Sequence, residues 1–116
     1  MPTVAEVVAQ TLKEYETEKF FCFMGGDHEL WYALEDVGIE IINGRSEGGA
    51  VYMADGYGRV SGKPGFVYGQ RGPGVANVAG AMADPVWASS PLVSFTSSIG
   101  MHSRDRFEYQ ELNGID

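Results

Sequence analysis

Basic residues are scarce in this chain of 116 residues, which holds 8 Lys and Arg against 16 Asp and Glu and has a formal net charge of −8. Binding to nucleic acid or to an anionic membrane surface relies on clustered Lys and Arg, so the charge argues against both partners. No apolar run approaches the roughly 20 residues of a membrane span, and the N-terminus lacks the pattern of a signal peptide. We therefore expect a cytoplasmic protein that binds neither nucleic acid nor membrane.

Cysteine is nearly absent as well. The single cysteine, Cys22, cannot form an internal disulfide. It stands in the apolar run Phe20-Phe21-Cys22-Phe23, where a small buried side chain is the simpler interpretation and a reactive thiol is the alternative. We assign no metal-binding residue to this chain.

Glycine, in contrast, is abundant, since its 16 residues are about twice the usual share of roughly 7%. The segments between the glycines alternate between helical and strand-like patterns. We predict helices over residues 4–15, 27–37, 46–61 and 73–83, and strands over residues 19–23, 39–42, 65–69 and 91–95. Because the strands are apolar throughout, the fold class is predicted to be α/β, a parallel sheet with helices on both faces.

The glycine clusters at 25–26, 48–49 and 72–74 all follow predicted strands. In a parallel sheet they would share the edge formed by the carboxyl ends of the strands, where ligands gather. Residues 97–116 add no further core-forming element, so the sheet is predicted to be incomplete at its C-terminus. The helix over 46–61 is predicted to turn five side chains toward the core: Ala50, Met53, Ala54, Tyr57 and Val60.

The segment Gly-Gln-Arg-Gly-Pro-Gly-Val-Ala-Asn at residues 69–77 joins a strand to a helix start, as anion and dinucleotide sites do. Asn77, however, stands where the third glycine of Gly-x-Gly-x-x-Gly would be. Pro73 also removes one of the amides that would cradle a phosphate. A nucleotide site is therefore disfavoured, and a purely structural tight turn stays open as an alternative.

Glu47 begins a predicted helix and is followed at once by Gly48 and Gly49. The plain interpretation is an acidic residue in the first turn, which the helix dipole stabilises by a few tenths of a kcal/mol. The two glycines weaken the helix by roughly 1 kcal/mol each relative to alanine. Two glycines at this unfavourable position indicate that another molecule approaches the backbone closely here.

Residues 45–65, Arg-Ser-Glu-Gly-Gly-Ala-Val-Tyr-Met-Ala-Asp-Gly-Tyr-Gly-Arg-Val-Ser-Gly-Lys-Pro-Gly, resemble a signature of thiamine-diphosphate enzymes of the acetolactate synthase, pyruvate decarboxylase and benzaldehyde lyase kind. Residues 72–77 are similar to the Gly-Pro-Gly-x-x-Asn of that family. Gln110-Glu111 follows Thr96 at the family's spacing. The resemblance covers residues 3 to 116 and implies an N-terminal pyrimidine-binding domain, here a fragment over residues 1–116.

The resemblance implies that Glu47 hydrogen-bonds N1′ of the cofactor's aminopyrimidine ring and so promotes loss of the proton at C2 of the thiazolium. It places Pro73 and Asn77 against the pyrimidine ring, within the turn of Gly72 and Gly74. Gln110 resembles a glutamine that faces the substrate, so Glu47 and Gln110 are the predicted catalytic residues. The implied substrate is a 2-oxo acid or a related small molecule, and the implied activity is C–C cleavage or formation next to a carbonyl.

Several departures from the family pattern leave the substrate open. The substrate side is assigned to Gly26, Asp27, His28, Gln70 and His102. Structural alternatives are a helix N-cap for Asp27, a solvated helix start for His28, strand-end hydrogen bonding for Gln70 and an exposed loop for His102. Arg71 could hold a substrate carboxylate or form an ordinary surface ion pair.

In the resembled family a middle domain and a diphosphate domain follow, and both are absent from this chain. The diphosphate domain binds Mg²⁺, and the cofactor lies between it and the pyrimidine domain of the partner subunit. The resemblance therefore implies a homodimer or homotetramer at full length and an inactive fragment in isolation. A non-catalytic partner-binding or regulatory module that retains the pyrimidine pocket is the alternative.

Overall fold

The computed structural model describes residues 1–23 and 25–111, in which helices alternate with strands. The elements are α1 (Val4–Glu14), β1 (Lys19–Cys22), α2 (His28–Asp36), β2 (Glu40–Asn43), α3 (Glu47–Ser61), β3 (Gly65–Gly69), α4 (Pro73–Ala81), α5 (Ala83–Trp87) and β4 (Leu92–Thr96). The predicted boundaries agree to within two residues. The exception is α5, a short helix that contains Pro85 and that the sequence did not predict. None of these helices is long and apolar enough to span a bilayer.

The four strands form one parallel sheet in the order β2-β1-β3-β4. The register places Phe21 of β1 opposite both Ile42 of β2 and Val67 of β3. Strand β3 is buried over its whole length, because it is central in the sheet and lies between layers of helices. The all-parallel sheet confirms the predicted α/β fold class.

Helices cover both faces of the sheet, each over its own layer of core. Side chains alternate along a strand, so Phe20 and Tyr68 face α1 and α2, whereas Phe21 and Val67 face α3 and α4. The first layer includes Ala9, Leu12, Ala33, Leu34 and Ile39, and the second includes Ala50, Val51, Ala54, Val78 and Ala81. The predicted arrangement of helices on both faces is confirmed.

Local sequence signals set the helix ends. Thr3 and Glu6 form the predicted capping box, in which the Thr3 hydroxyl accepts from the Glu6 N–H at 3.2 Å and the Thr3 N–H donates to Glu6 Oε2 at 2.6 Å. Ser46 caps α3, with its hydroxyl 3.0 Å from the Gly49 nitrogen. Gly62 ends α3 in the left-handed conformation, with φ of +71°.

The predicted core face of α3 was wrong at two positions, since Met53 is 37% exposed and Val60 is 89% exposed. The helix packs against the sheet through its backbone. A Cβ on Gly65 would lie 2.1 Å from the Ala54 carbonyl oxygen, and a Cβ on Gly58 would lie 2.7 Å from the Pro91 carbonyl oxygen. This close approach turns Ala54 and Gly58 toward β3 and rotates Met53 and Val60 toward solvent.

Cys22 is buried, as the simpler interpretation predicted. Its thiol donates to Oδ1 of Asn43 at 3.2 Å, across the β1–β2 pair. Burial disfavours the charged thiolate and raises the pKa of Cys22 to about 11. Cys22 is therefore a packing residue that also links two strands.

Candidate functional site

The glycine turns meet at the carboxyl edge of the sheet, with Gln70 between them. A Cβ on Gly26 would lie 3.5 Å from Nε2 of Gln70, and a Cβ on Gly74 would lie 3.3 Å from Cβ of Gln70. The same Gly74 position is 3.4 Å from Oε1 of Glu47. The ends of β1 and β3 and the start of α3 thus converge around a few small residues, which leave room for a ligand to approach backbone atoms.

Glu47 is the first residue of α3 and is partly buried. Its Oε2 accepts a hydrogen bond from Nδ2 of Asn77 in α4, at 3.1 Å. Its Oε1 faces Gly74, where a Cβ would already be in van der Waals contact and a longer side chain would cover the oxygen. One carboxylate oxygen is therefore held by α4, while the other lies over a residue without a side chain.

Gly72 is a glycine for two physical reasons. Its φ is +67°, which other residues rarely adopt, and a Cβ there would lie 2.1 Å from the carbonyl oxygen of Gln110. The missing side chain allows the segment around Gln110 to return to the turn, although 38 residues separate the two positions in the chain. Gln110 thus reaches the same edge as Glu47.

Gln110 occupies this position at an energetic cost. Its own φ is +67°, a strain of about 1–3 kcal/mol for a residue other than glycine. Its Oε1 is buried and has no hydrogen-bond partner among the described residues. A buried acceptor without a donor costs a further 1–3 kcal/mol or so. Such costs concentrate where a ligand can offset them.

A chain of hydrogen bonds links Arg71 to Asp27 across this edge. The Arg71 N–H donates to Oγ of Ser97 at 3.1 Å, and Ser97 Oγ lies 2.8 Å from the Tyr68 hydroxyl, which also contacts Oδ2 of Asp27. The Tyr68 hydrogen goes to the Asp27 carboxylate, because a carboxylate oxygen can only accept. Ser97 must then donate to Tyr68, so the chain has one direction and ends on Asp27.

Tyr68 joins the site although the sequence did not single it out. Burial, and then the hydrogen bond to Asp27, raise the pKa of the Tyr68 hydroxyl. Asp27 occupies the N-cap position of α2, as predicted, but its side chain makes no capping hydrogen bond and turns to Tyr68 instead. In an apolar strand Tyr68 is most simply a core residue. Only its place one residue before the strand end could have pointed to this role.

The other predicted residues lie at different places around the edge. His28 is exposed in the first turn of α2 and borders a groove of about 580 Å³ that Asp27, Tyr68 and Phe95 also line. Pro73 is exposed at the first position of α4. His102 is exposed beyond β4, with its ring against Gly100. In residues 1–23 and 25–111 no group of three or more His, Cys, Asp or Glu could hold a metal ion.

The structure thus gathers the candidate residues on both sides of the sheet edge. Glu47 and Asn77 lie on the side of α3 and α4, near Gly72 and Gly74. The hydrogen-bonded residues Asp27, Tyr68 and Ser97 lie on the side of α1 and α2. A parallel sheet with small turns and an oriented carboxylate at its carboxyl edge defines an α/β domain of the kind that commonly binds small ligands at that edge.

Comparison with known proteins identifies which class of α/β domain this is. Residues 2–116 match the family model described as thiamine pyrophosphate enzyme, N-terminal TPP binding domain. The match covers nearly the whole chain, so the chain belongs to the thiamine-pyrophosphate-dependent enzyme family and matches its N-terminal TPP binding domain.

Relatives within the family carry out several different reactions. The chain is 36% identical over 114 residues, 97% of its own length, to a sulfoacetaldehyde acetyltransferase of Alcaligenes xylosoxydans. It is 37% identical over 113 residues, 96% of its own length, to the acetolactate synthase large subunit of Lactococcus lactis. It is 40% identical over 96 residues, 82% of its length, to a probable 2-ketoarginine decarboxylase of Pseudomonas aeruginosa. The matched regions are 19%, 20% and 17% of those proteins, so the chain spans about a fifth of their length.

Proposed function

We propose that this chain supplies the pyrimidine-binding half of a thiamine-diphosphate site in an enzyme that cleaves or forms C–C bonds next to a carbonyl. The observation that supports the proposal most directly is the Glu47 carboxylate, whose Oε2 is held by Asn77 and whose Oε1 lies over Gly74. An acceptor oxygen fixed beside a small residue suits a flat heterocycle that presents a ring nitrogen.

The residues present fit the cofactor's pyrimidine ring. Gly72 and Gly74 keep side chains away from the turn, and a Cβ at either position would meet Gln110 or Glu47. Pro73 is exposed between them and offers an apolar ring surface. We propose that this turn holds one face of the pyrimidine, with Glu47 at its ring nitrogen and Gln110 on the substrate side.

Thiamine diphosphate supplies the electron sink for C–C chemistry, and the protein supplies position and proton control. In the proposed mechanism Oε1 of Glu47 would hold a proton at the ring nitrogen N1′ of the bound cofactor, and the cofactor would supply the base that takes its own C2 proton. Asn77 keeps Oε2 occupied, so that only one carboxylate oxygen is presented to the ring. Partial burial of Glu47 lowers the local dielectric and strengthens this hydrogen bond.

The reaction catalysed by the whole protein is proposed at the level of substrate class. The relatives' names include an acetyltransferase, a synthase and a decarboxylase. We propose that the protein carrying this chain shares with them chemistry at a carbonyl carbon. We propose a 2-oxo acid substrate, bound on the side of Gly26, Asp27, His28, Gln70 and His102. The diphosphate and its Mg²⁺ are assigned to a diphosphate-binding domain of a partner subunit in a dimer or tetramer.

Substitution of the proposed carboxylate tests this function. In the protein that carries this chain, Glu47→Gln should slow deuterium exchange at C2 of bound thiamine diphosphate by about 100-fold or more, because the amide cannot share a proton in the same way. Glu14→Gln is the control, since Glu14 is exposed at the end of α1, away from the carboxyl edge of the sheet. Unchanged exchange in Glu47→Gln would overturn the assignment. Normal partner binding without exchange in the parent protein would favour the non-catalytic module instead.

A further inference from the structure

Two buried polar atoms at the Gly72 turn lack hydrogen-bond partners among the described residues. One is the donor Nε of Arg71, and the other is the acceptor Oε1 of Gln110. Arg71 directly precedes Gly72, and the Gln110 carbonyl oxygen covers it from the other side. The two atoms are complementary, yet they are not bonded to each other. An anionic ligand group at this turn could accept from Arg71 Nε, and the Gln110 amide could turn to present its Nε2 donor to the same group.

The positive charge of Arg71 is not neutralised within the described part of the chain. The structure gives ion pairs for Lys19, Arg59 and Lys63, and within residues 1–23 and 25–111 it gives none for Arg71. The carboxylates of Glu47 and Asp27 at this edge accept hydrogen bonds from Asn77 and Tyr68.

Arg71 lies between the end of β3 and the Gly72 turn. The backbone of Arg71 is fixed by its hydrogen bond to Ser97, at the end of β4. Arg71 is therefore joined to Asp27 through Ser97 and Tyr68, and it directly precedes the Gly72 turn of the proposed pyrimidine pocket.

We propose that Arg71, with Gln110 beside it, forms a specificity subsite that binds a second anionic group of the substrate, distant from the carboxylate next to the keto carbon. A guanidinium presents Nε–H and a terminal N–H in parallel, which matches two oxygens of a carboxylate or sulfonate. Such an anion would give Nε its missing acceptor. The inference rests on the proposed function, because that function places the substrate at this edge.

Substrate pairs that differ only in charge test the subsite. 2-Oxoglutarate is compared with 5-methyl-2-oxohexanoate, in which an isopropyl group replaces the terminal carboxylate. 3-Sulfopyruvate is compared with 4,4-dimethyl-2-oxopentanoate, in which a tert-butyl group replaces the sulfonate. Affinities are measured by calorimetry in the full-length protein, with an analogue of thiamine diphosphate that lacks the C2 proton bound in place of the cofactor, so that turnover is blocked whatever the role of Glu47.

The parent protein should bind one dianion more tightly than its uncharged-tail partner. Arg71→Gln should lower the affinity for that dianion by about 10-fold or more and the affinity for the matched uncharged-tail compound by about 2-fold or less. Arg71→Lys should give an intermediate loss of affinity for the dianion. Arg106→Gln, at an exposed loop position, should change neither. The pair with the larger Arg71 dependence identifies the anion. Equal losses for both members, or no preference in the parent protein, would overturn the subsite.

The subsite and the proposed function can fail separately. Charge discrimination is an equilibrium binding measurement, whereas C2 exchange measures the role of Glu47. If Glu47→Gln leaves exchange intact while Arg71→Gln abolishes the dianion preference, the pyrimidine assignment is wrong and the subsite is supported. The opposite pattern overturns the subsite and supports the pyrimidine assignment.

Discussion

Nδ2 of Asn77 in α4 donates a 3.1 Å hydrogen bond to Oε2 of Glu47 at the start of α3. This contact joins two helices that both begin at the carboxyl edge of the sheet, and it selects one of the two carboxylate oxygens. Because Asn77 is exposed, the contact contributes more to the orientation of Glu47 than to the stability of the fold.

We expect Asn77→Ala to separate these two effects. Loss of the donor lets the Glu47 side chain adopt other rotamers, so C2 exchange of bound thiamine diphosphate should fall by about 10-fold, while the free energy of unfolding changes by about 0.5 kcal/mol or less. Asn77→Asp places a second carboxylate beside the first and should reduce exchange further. Gln10→Ala, on the exposed face of α1, is the control. Exchange equal to that of the parent protein in both Asn77 variants would remove Asn77 from the site.

The hydroxyl of Tyr68 is expected to stabilise the fold. Tyr68→Phe leaves Asp27 Oδ2 and Ser97 Oγ without their partner, so the free energy of unfolding should fall by about 1–3 kcal/mol, measured by urea denaturation. Tyr32→Phe is a matched control, because Tyr32 is 65% exposed and removal of its hydroxyl should have little effect. Equal stability of the two variants would show that the hydrogen-bond chain contributes nothing.

Three glycine-to-alanine variants distinguish backbone strain from collision. Gly80→Ala fills open space inside α4 and should stabilise the protein by up to about 1 kcal/mol. Gly62→Ala has open space but a φ of +71°, so a loss of about 1 kcal/mol is expected from strain alone. Gly72→Ala adds a collision with Gln110 to a similar φ and should cost about 3 kcal/mol or displace residues around Gln110.

Urea denaturation gives the order of the three variants, and limited proteolysis of residues 101–111 reports displacement of the Gln110 segment. A Gly72→Ala protein as stable as Gly62→Ala, with the same cleavage pattern, would mean that the segment around Gln110 does not lie against Gly72.

The Cys22 thiol should react slowly and with a shifted pH dependence. Its pKa is about 11 in the fold against an ordinary value of 9.0, so at pH 8 the native thiolate is roughly 100-fold rarer than in the unfolded chain. Alkylation by iodoacetamide at pH 8 should therefore be at least that much slower in buffer than in urea. Since the chain has one cysteine, all label reports on this site.

The sign of the effect on stability follows from the same shift. The neutral thiol is favoured in the fold, so the contribution of Cys22 to stability is present below pH 9 and is lost as the pH rises from 9 toward 11. A native alkylation rate that levels off near pH 9 would contradict the raised pKa.

The sequence predicted the elements well where short-range signals are strong. Strand β3 (Gly65–Gly69) and Pro73 at the first position of α4 agree with the predicted bounds, because glycine, proline and an unbroken apolar run mark them. The core face of α3 was predicted less well. Backbone contact at Gly58 and Gly65 sets its rotation, and such long-range contact leaves no periodic signal in the helix itself.

In the candidate site, too, residues within short motifs were predicted from the sequence and contacts between distant segments were not. Glu47 and Asn77 were identified through motifs, and the structure brings them into contact. The link from Tyr68 to Asp27 joins residues 41 positions apart, and the return of Gln110 to Gly72 spans nearly as many. Neither could be predicted, because each depends on which strands are neighbours in the sheet.

The alternation of β3 has a consequence for how this edge can change over evolution. Val67 faces α3 and Tyr68 faces α1 and α2, so a single inserted residue within the strand would exchange the two sides. The hydroxyl would then point into the wrong layer of helices, and a valine would replace it against Asp27. Insertions are tolerable only outside the strands, which leaves the turns as the place where relatives can diverge in substrate choice.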